Sequence, residues 1–75
     1  MATKTLDVRG LKSPQPTLKM TVEARGAMKT GDVLEVIADC PTFENDLKGW
    51  CERMGKTLLW LKDEGNDVKR CQVQV

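Results

Sequence analysis

Histidine is absent from this 75-residue sequence. That removes Ser–His and Cys–His pairs, zinc sites built with histidine, and the commonest general base. Three cysteines are present, Cys40, Cys51 and Cys71, but they form no C-x-x-C pair. A structural metal site is therefore not expected, and no cofactor is implied. An odd cysteine count, with an opening Met-Ala-Thr-Lys too short and polar for a targeting signal, leads us to expect free thiols in a reducing cytoplasm. No apolar run approaches the length needed to cross a bilayer. The net charge is +1, without a block of like charges. Neither a membrane nor direct contact with nucleic acid is expected. Internal repeats, low-complexity tracts and linkers are lacking as well.

What remains is one small domain over residues 1–75, with a globular balance of apolar and charged residues. A chain of this length buries only about 60–65% of its extended surface, so its stability margin is thin.

Thr5 to Val8 reads as a first strand with Leu6 and Val8 on one face. Residues 16–29 carry two periods at once. Leu18, Met20, Val22 and Ala24 alternate as in a strand, whereas Thr17, Met20, Ala24 and Ala27 share a helical face. A helix is favoured by the Pro-x-Pro opening, by the length, and by Gly31 as a stop. Pro16 suits the first helical turn because that turn leaves its N–H groups unpaired. Asp32 to Ala38 is a β-branched run that suits a central strand. Pro41 is expected as the first residue of a second helix, with Cys40 as its cap. Phe43, Leu47, Trp50, Cys51 and Met54 form the inner stripe of that helix, and Gly55 stops it as a left-handed cap. Gly49 would permit close approach of a neighbouring element. Thr57 to Lys62 reads as a third strand, Glu64-Gly65-Asn66 as a hairpin turn, and Val68 to Val75 as a fourth strand with Cys71, Val73 and Val75 inward. The order is βαβαββ. The fold class is α+β: a two-layer α/β sandwich whose mixed four-stranded sheet carries both helices on one face, its first two strands parallel and joined by a right-handed crossover.

In open sheets of this kind, sites gather where parallel strands end and helices begin. Here these places are Arg9–Pro16 and Asp39–Thr42, which brings Ser13 and Cys40 to one edge. Ser13 reads either as a structural residue at a helix start or as part of an anion or nucleophile site. Cys40 reads as a small capping residue or as a second reactive thiol. Arg9 and Lys12 are solvated loop charges or a positive rim for an acidic partner. Cys51 and Cys71 fall on core faces and are expected to be inert.

The stretch Leu6-Asp7-Val8-Arg9-Gly10-Leu11-Lys12-Ser13-Pro14-Gln15-Pro16 resembles the opening of the TusA/SirA family of sulfur carriers, whose pattern is Leu-Asp-x-x-Gly-x-x-Cys-Pro-x-Pro. Every fixed position matches except the reactive cysteine, where this chain has Ser13. Outside residues 6–16 the likeness rests on element order and on the Ala38-Asp39-x-Pro41 junction. The architecture implied by the family is also that of the C-terminal domain of bacterial translation initiation factor three.

The resemblance implies a sulfurtransferase that relays persulfide sulfur from a cysteine desulfurase or rhodanese to a DsrE-like or similar acceptor, for tRNA thiolation, cofactor synthesis or sulfur oxidation. It places the persulfide position at Ser13; on the residues themselves, Cys40 is the candidate second thiol, and Arg9, Gly10, Lys12, Pro14 and Pro16 are expected to face the substrate or partner. A hydroxyl does not accept sulfane sulfur, so the Ser13 form is expected to be inactive there. Two explanations stand: a Cys-to-Ser change in a working carrier, which the otherwise intact motif favours, or a natural non-catalytic binding or regulatory module. RNA binding by fold analogy is a weaker alternative, opposed by the near-zero charge.

Overall fold

A computed structural model describes residues 2–26 and 28–75. Its elements are β1 (Thr3–Asp7), α1 (Gln15–Gly26), β2 (Val33–Ala38), α2 (Phe43–Met54), β3 (Thr57–Gly65) and β4 (Val68–Gln74). The four strands form one sheet in the order β1-β2-β4-β3. β1 and β2 are parallel, and β2–β4 and β3–β4 are antiparallel. The mixed sheet with both helices on one face is the architecture expected from the residue pattern.

The β2 segment shows why it is central. Leu34, Val36 and Ala38 are fully buried on the helix side, whereas Val33, Glu35 and Ile37 are half-buried on the other. Period-two alternation places every second side chain under the helices. Across the ladder, Leu34 faces Val73 and Val36 faces both Leu6 and Cys71. Met20 from α1 and Phe43, Leu47, Trp50 and Cys51 from α2 close the core above them. The Trp50 indole N–H, which needs a partner once covered, donates to Thr21 Oγ1 at 2.8 Å and ties the two helices together. The open face of the sheet is polar by contrast. There Glu35 accepts from Arg70 at 2.7 Å and from Gln72 at 2.8 Å, and Arg70 reaches Glu64 at 2.6 Å.

Several boundaries differ from those read along the sequence. β1 begins at Thr3 and ends at Asp7, although Val8 stays buried and its N–H still pairs with the Ile37 carbonyl at 2.8 Å. α1 begins one residue before Pro16 and ends at Gly26. Ala27, expected on its inner face, lies outside the described residues. The second helix starts at Phe43, not Pro41, with Thr42 at the N-cap position but making no side-chain cap. Pro41 and Thr42 form a turn, and Cys40 contributes its carbonyl to the Phe43 N–H at 3.0 Å. No neighbouring element approaches Gly49; a methyl group there would meet only the guanidinium of Arg53, one turn along the same helix, at 3.3 Å.

β3 is longer than Thr57–Lys62. It pairs as far as Gly65, and its register slips between Leu58 and Trp60 and again between Asp63 and Gly65. The hairpin therefore turns at Asn66 and Asp67, with φ of 55° and 63°, the left-handed pair of a two-residue turn. Gly55 stops α2 as expected, with φ 68° and the Lys56 N–H returning to the Cys51 carbonyl at 2.9 Å.

Candidate functional site

Two loops leave the carboxyl ends of the adjacent parallel strands β1 and β2. Asp39, directly after β2, accepts a hydrogen bond from the Gly10 N–H at 2.9 Å and so fastens the loops together. Gly10 has φ 87°, a left-handed conformation that side chains resist; a Cβ there would meet no other atom, so the requirement is one of backbone angle and not of space. The chain then folds back through Leu11 N–H to the Val8 carbonyl at 3.2 Å and Gln15 N–H to the Lys12 carbonyl at 2.8 Å.

That path puts Ser13 in an exposed turn just before α1, followed by a cis bond to Pro14. The Pro14 carbonyl accepts both the Leu18 N–H at 3.1 Å and the Thr17 hydroxyl at 3.0 Å, which secures the first turn of the helix. Gln15 is exposed, while Pro16 is buried against the core together with Thr17.

Ser13 and Cys40 come together. The backbone amide of Ser13 lies near enough to the Cys40 sulfur to favour its thiolate. Cys40 is only 4% exposed, and its Sγ lies 3.4 Å from the Thr42 hydroxyl. The Thr42 hydroxyl, first, and the N–H groups of Thr42 and Ser13 hold the thiol below its ordinary pKa, against burial and the Asp46 carboxylate, which push it up. The other two thiols behave oppositely. Burial raises Cys51 and pushes Cys71 to about 12. Cys40 is thus the one thiol whose surroundings favour the thiolate, although its cover must open before a reagent can reach it.

The remaining residues expected around the site are dispersed. Arg9 is exposed, but its guanidinium is spent on Asp7, with Nε–Oδ1 at 3.0 Å and Nη2–Oδ2 at 2.7 Å. This pairing holds the Asp7 carboxyl at about 2. Gly10, Lys12 and Pro14 are exposed on the loop, whereas Pro16 faces inward. Sequence reasoning gave no role to Asp39 or Thr42; the partner of Asp39 is a backbone amide in the other loop, which no local pattern marks. Among the described residues no cluster of three or more acids and cysteines could hold a metal, and no helix is long and apolar enough to cross a membrane.

In chemical terms, Ser13 offers an exposed hydroxyl with no histidine to activate it. A thiol at the same point would stand at a helix start beside a second thiol.

Comparison with known proteins gives this geometry a context. The family described as "Sulfurtransferase TusA" matches residues 4–75. A "Putative sulfur carrier protein" of Aquifex aeolicus is 41% identical over 66 residues, covering 87% of this chain and 33% of the relative's own length. The chain thus spans about a third of that protein. The "Putative sulfur carrier protein YrkI" of Bacillus subtilis is 38% identical over 66 residues, covering 88% of this chain and 87% of the relative. The crystal structure of a SirA-like protein from Desulfitobacterium hafniense has the same fold, with a TM-score of 0.82 at 21% identity over 100% of this chain and 97% of that one.

Proposed function

The chain belongs to the TusA family of sulfur carriers, and from that premise we propose that it is a cytoplasmic persulfide relay whose sulfur-bearing position is 13, silenced in this form by serine. In the active form a thiolate at position 13 attacks the sulfane sulfur of a donor persulfide. The donor S–S bond breaks as the new one forms, and the donor leaves as a thiolate, so no oxidant or reductant is consumed. The donor class is a cysteine desulfurase or a rhodanese. The acceptor is a DsrE-like or similar protein, serving tRNA thiolation, cofactor synthesis or sulfur oxidation.

The observation that supports this reading most is the exposed turn at Ser13, fixed by the Gly10–Asp39 tie and set at the start of α1. Relay needs an accessible acidic thiol and a docking surface, and neither a base nor a metal. Cys40, with its depressed pKa, is the candidate second thiol: its thiolate can take the outer sulfur of a persulfide at position 13, or attack the inner sulfur and release hydrosulfide to leave a disulfide, which requires α-carbons within about 7 Å.

Mass spectrometry after exposure to a small-molecule persulfide tests the proposal. The Ser13→Cys chain should gain mass in units of one sulfur, and the Ser13 form should not. Equal loading of both would move the chemistry to Cys40.

Ser13 itself favours a second reading, a non-catalytic binding or regulatory module that keeps the family's docking edge. A serine codon at position 13 of the natural gene supports that reading; a cysteine codon removes it.

A further inference from the structure

Asp39 belongs to one loop of the site and holds the other. It follows the last residue of β2 and precedes Cys40. Its Oδ1 accepts the Gly10 N–H at 2.9 Å, across 29 positions of sequence. Upstream of Gly10 the chain is already fixed. The Val8 N–H continues the ladder to the Ile37 carbonyl at 2.8 Å, and Asp7 binds the Arg9 backbone N–H at 3.1 Å as well as its guanidinium. Downstream the bonds are local, from the Leu11 N–H to the Val8 carbonyl at 3.2 Å and from the Gln15 N–H to the Lys12 carbonyl at 2.8 Å. They shape the turn without setting where it lies over β2. The Asp39 carboxylate supplies that placement, acting on a residue whose φ of 87° makes it the bend of the loop. An ionised acceptor makes this bond stronger than one between neutral groups.

The placement matters at Cys40. That thiol is buried, and the Ser13 amide lies near enough to its sulfur to favour the thiolate, alongside the hydroxyl and amide of Thr42. The charges around it are carboxylates: Asp46 from α2 disfavours the thiolate, and Asp39 is the preceding residue. Arg9, within reach of the Asp39 charge, is committed to Asp7. By charge alone Asp39 would keep Cys40 protonated, whereas by holding the loop it brings up a group that favours the thiolate. The two effects have opposite signs, which makes them separable.

We propose that Asp39 is the positioning residue of this site: its grip on the Gly10 amide closes residues 9–14 over Cys40 and fixes the side chain of position 13 at the opening of α1. Asp39 acts through the backbone of the opposite loop and takes no part in bond making. The hold on position 13 rests on the relay reading; the hold on Cys40 stands without it.

Iodoacetamide labelling of Cys40 across a pH series, in the chain with Ser13, tests the second hold. Asp39→Ala should raise the plateau rate by about tenfold or more, because the loop opens more often, and move the midpoint to higher pH, because the Ser13 amide is withdrawn. Asp39→Asn keeps an accepting oxygen without the charge, so it should restore most of the slow plateau and bring the midpoint back to or below that of the parent. Gly10→Ala strains the bend with the Asp39 charge still in place and should act like Asp39→Ala; it decides the matter if Asp39→Ala does not fold. A midpoint that falls in Asp39→Ala overturns the proposal, because Asp39 would then act as a bare charge. So do plateau rates within about twofold of the parent in both Asp39→Ala and Gly10→Ala. In the Ser13→Cys chain, Asp39→Ala should slow loading from glutathione persulfide severalfold and Asp39→Asn should recover it. Unchanged loading in Asp39→Ala overturns the hold on position 13. Failure of the Ser13→Cys parent to load at all overturns the relay reading instead and leaves the hold on Cys40 to the labelling result.

Discussion

The Ser13 backbone amide lies near enough to the Cys40 sulfur to favour its thiolate, so the two loops that follow the parallel strands meet at these two residues. The contact is made by the backbone and therefore survives exchange of the side chain at position 13. A chain with either serine or cysteine there presents the same amide to Cys40.

The first prediction concerns that thiol. Its depressed pKa means that, once the loops breathe open, Cys40 alkylates at lower pH than Cys51 or Cys71. Thr42→Val removes the largest stabilising contact and should shift the Cys40 rate profile to higher pH. Iodoacetamide labelling across a pH series, read cysteine by cysteine by mass spectrometry, measures both. Equal profiles for the three thiols would contradict the assignment.

Alkaline stability provides the second. Cys71 is fully buried, and its pKa rises from 9.0 to about 12 on folding. A group raised in the folded state contributes stability that is fully present below its unfolded pKa. As pH climbs from 9.0 towards about 12 the unfolded chain ionises first, and stability falls. Cys71→Val, a near-isosteric apolar change, should flatten that fall. Urea titrations at pH 7 and pH 10.5 supply the comparison.

The third separates the two faces of α1. Thr21→Val strands the Trp50 indole N–H beneath the helices and should cost about 1–3 kcal/mol, with Thr21→Ser restoring most of it. Leu18→Ala, on the outer face of the same helix, should fall within about 0.5 kcal/mol of the parent. Chemical denaturation distinguishes them; a large loss at Leu18 would mean that the face is structural and not a free surface.

The element order, the parallel pair and the hairpin were all legible because the strands and α2 each carry a single period. Phe43, Leu47, Trp50 and Cys51 are buried as their spacing requires. α1 was harder. Leu18 and Val22 alternate with Met20 and Ala24, because this helix has apolar residues on both faces, and a strand would show the same alternation. The ambiguity in the letters marks the exposed aliphatic face. The start of α2 was misplaced because Pro41 satisfies the rule for a first helical residue, while the Thr42 hydroxyl engages Asp46 at 3.0 Å and Cys40 instead of capping. That Ser13 and Cys40 share an edge follows from topology and could be read in advance. Asp39 as the tie between the loops could not, since its partner is a backbone amide in the other loop.

The two register slips of β3 alter the edge that the sheet offers to other chains. β3 ends the sheet on one side, and an unpaired edge is an invitation to any extended chain of suitable rhythm. Leu59 and Glu64 interrupt that rhythm, so a foreign strand aligned with one stretch of amides falls out of step at the next. Irregular edges of this kind are poor templates for an added strand, and removing Leu59 would even out the ladder at the first slip.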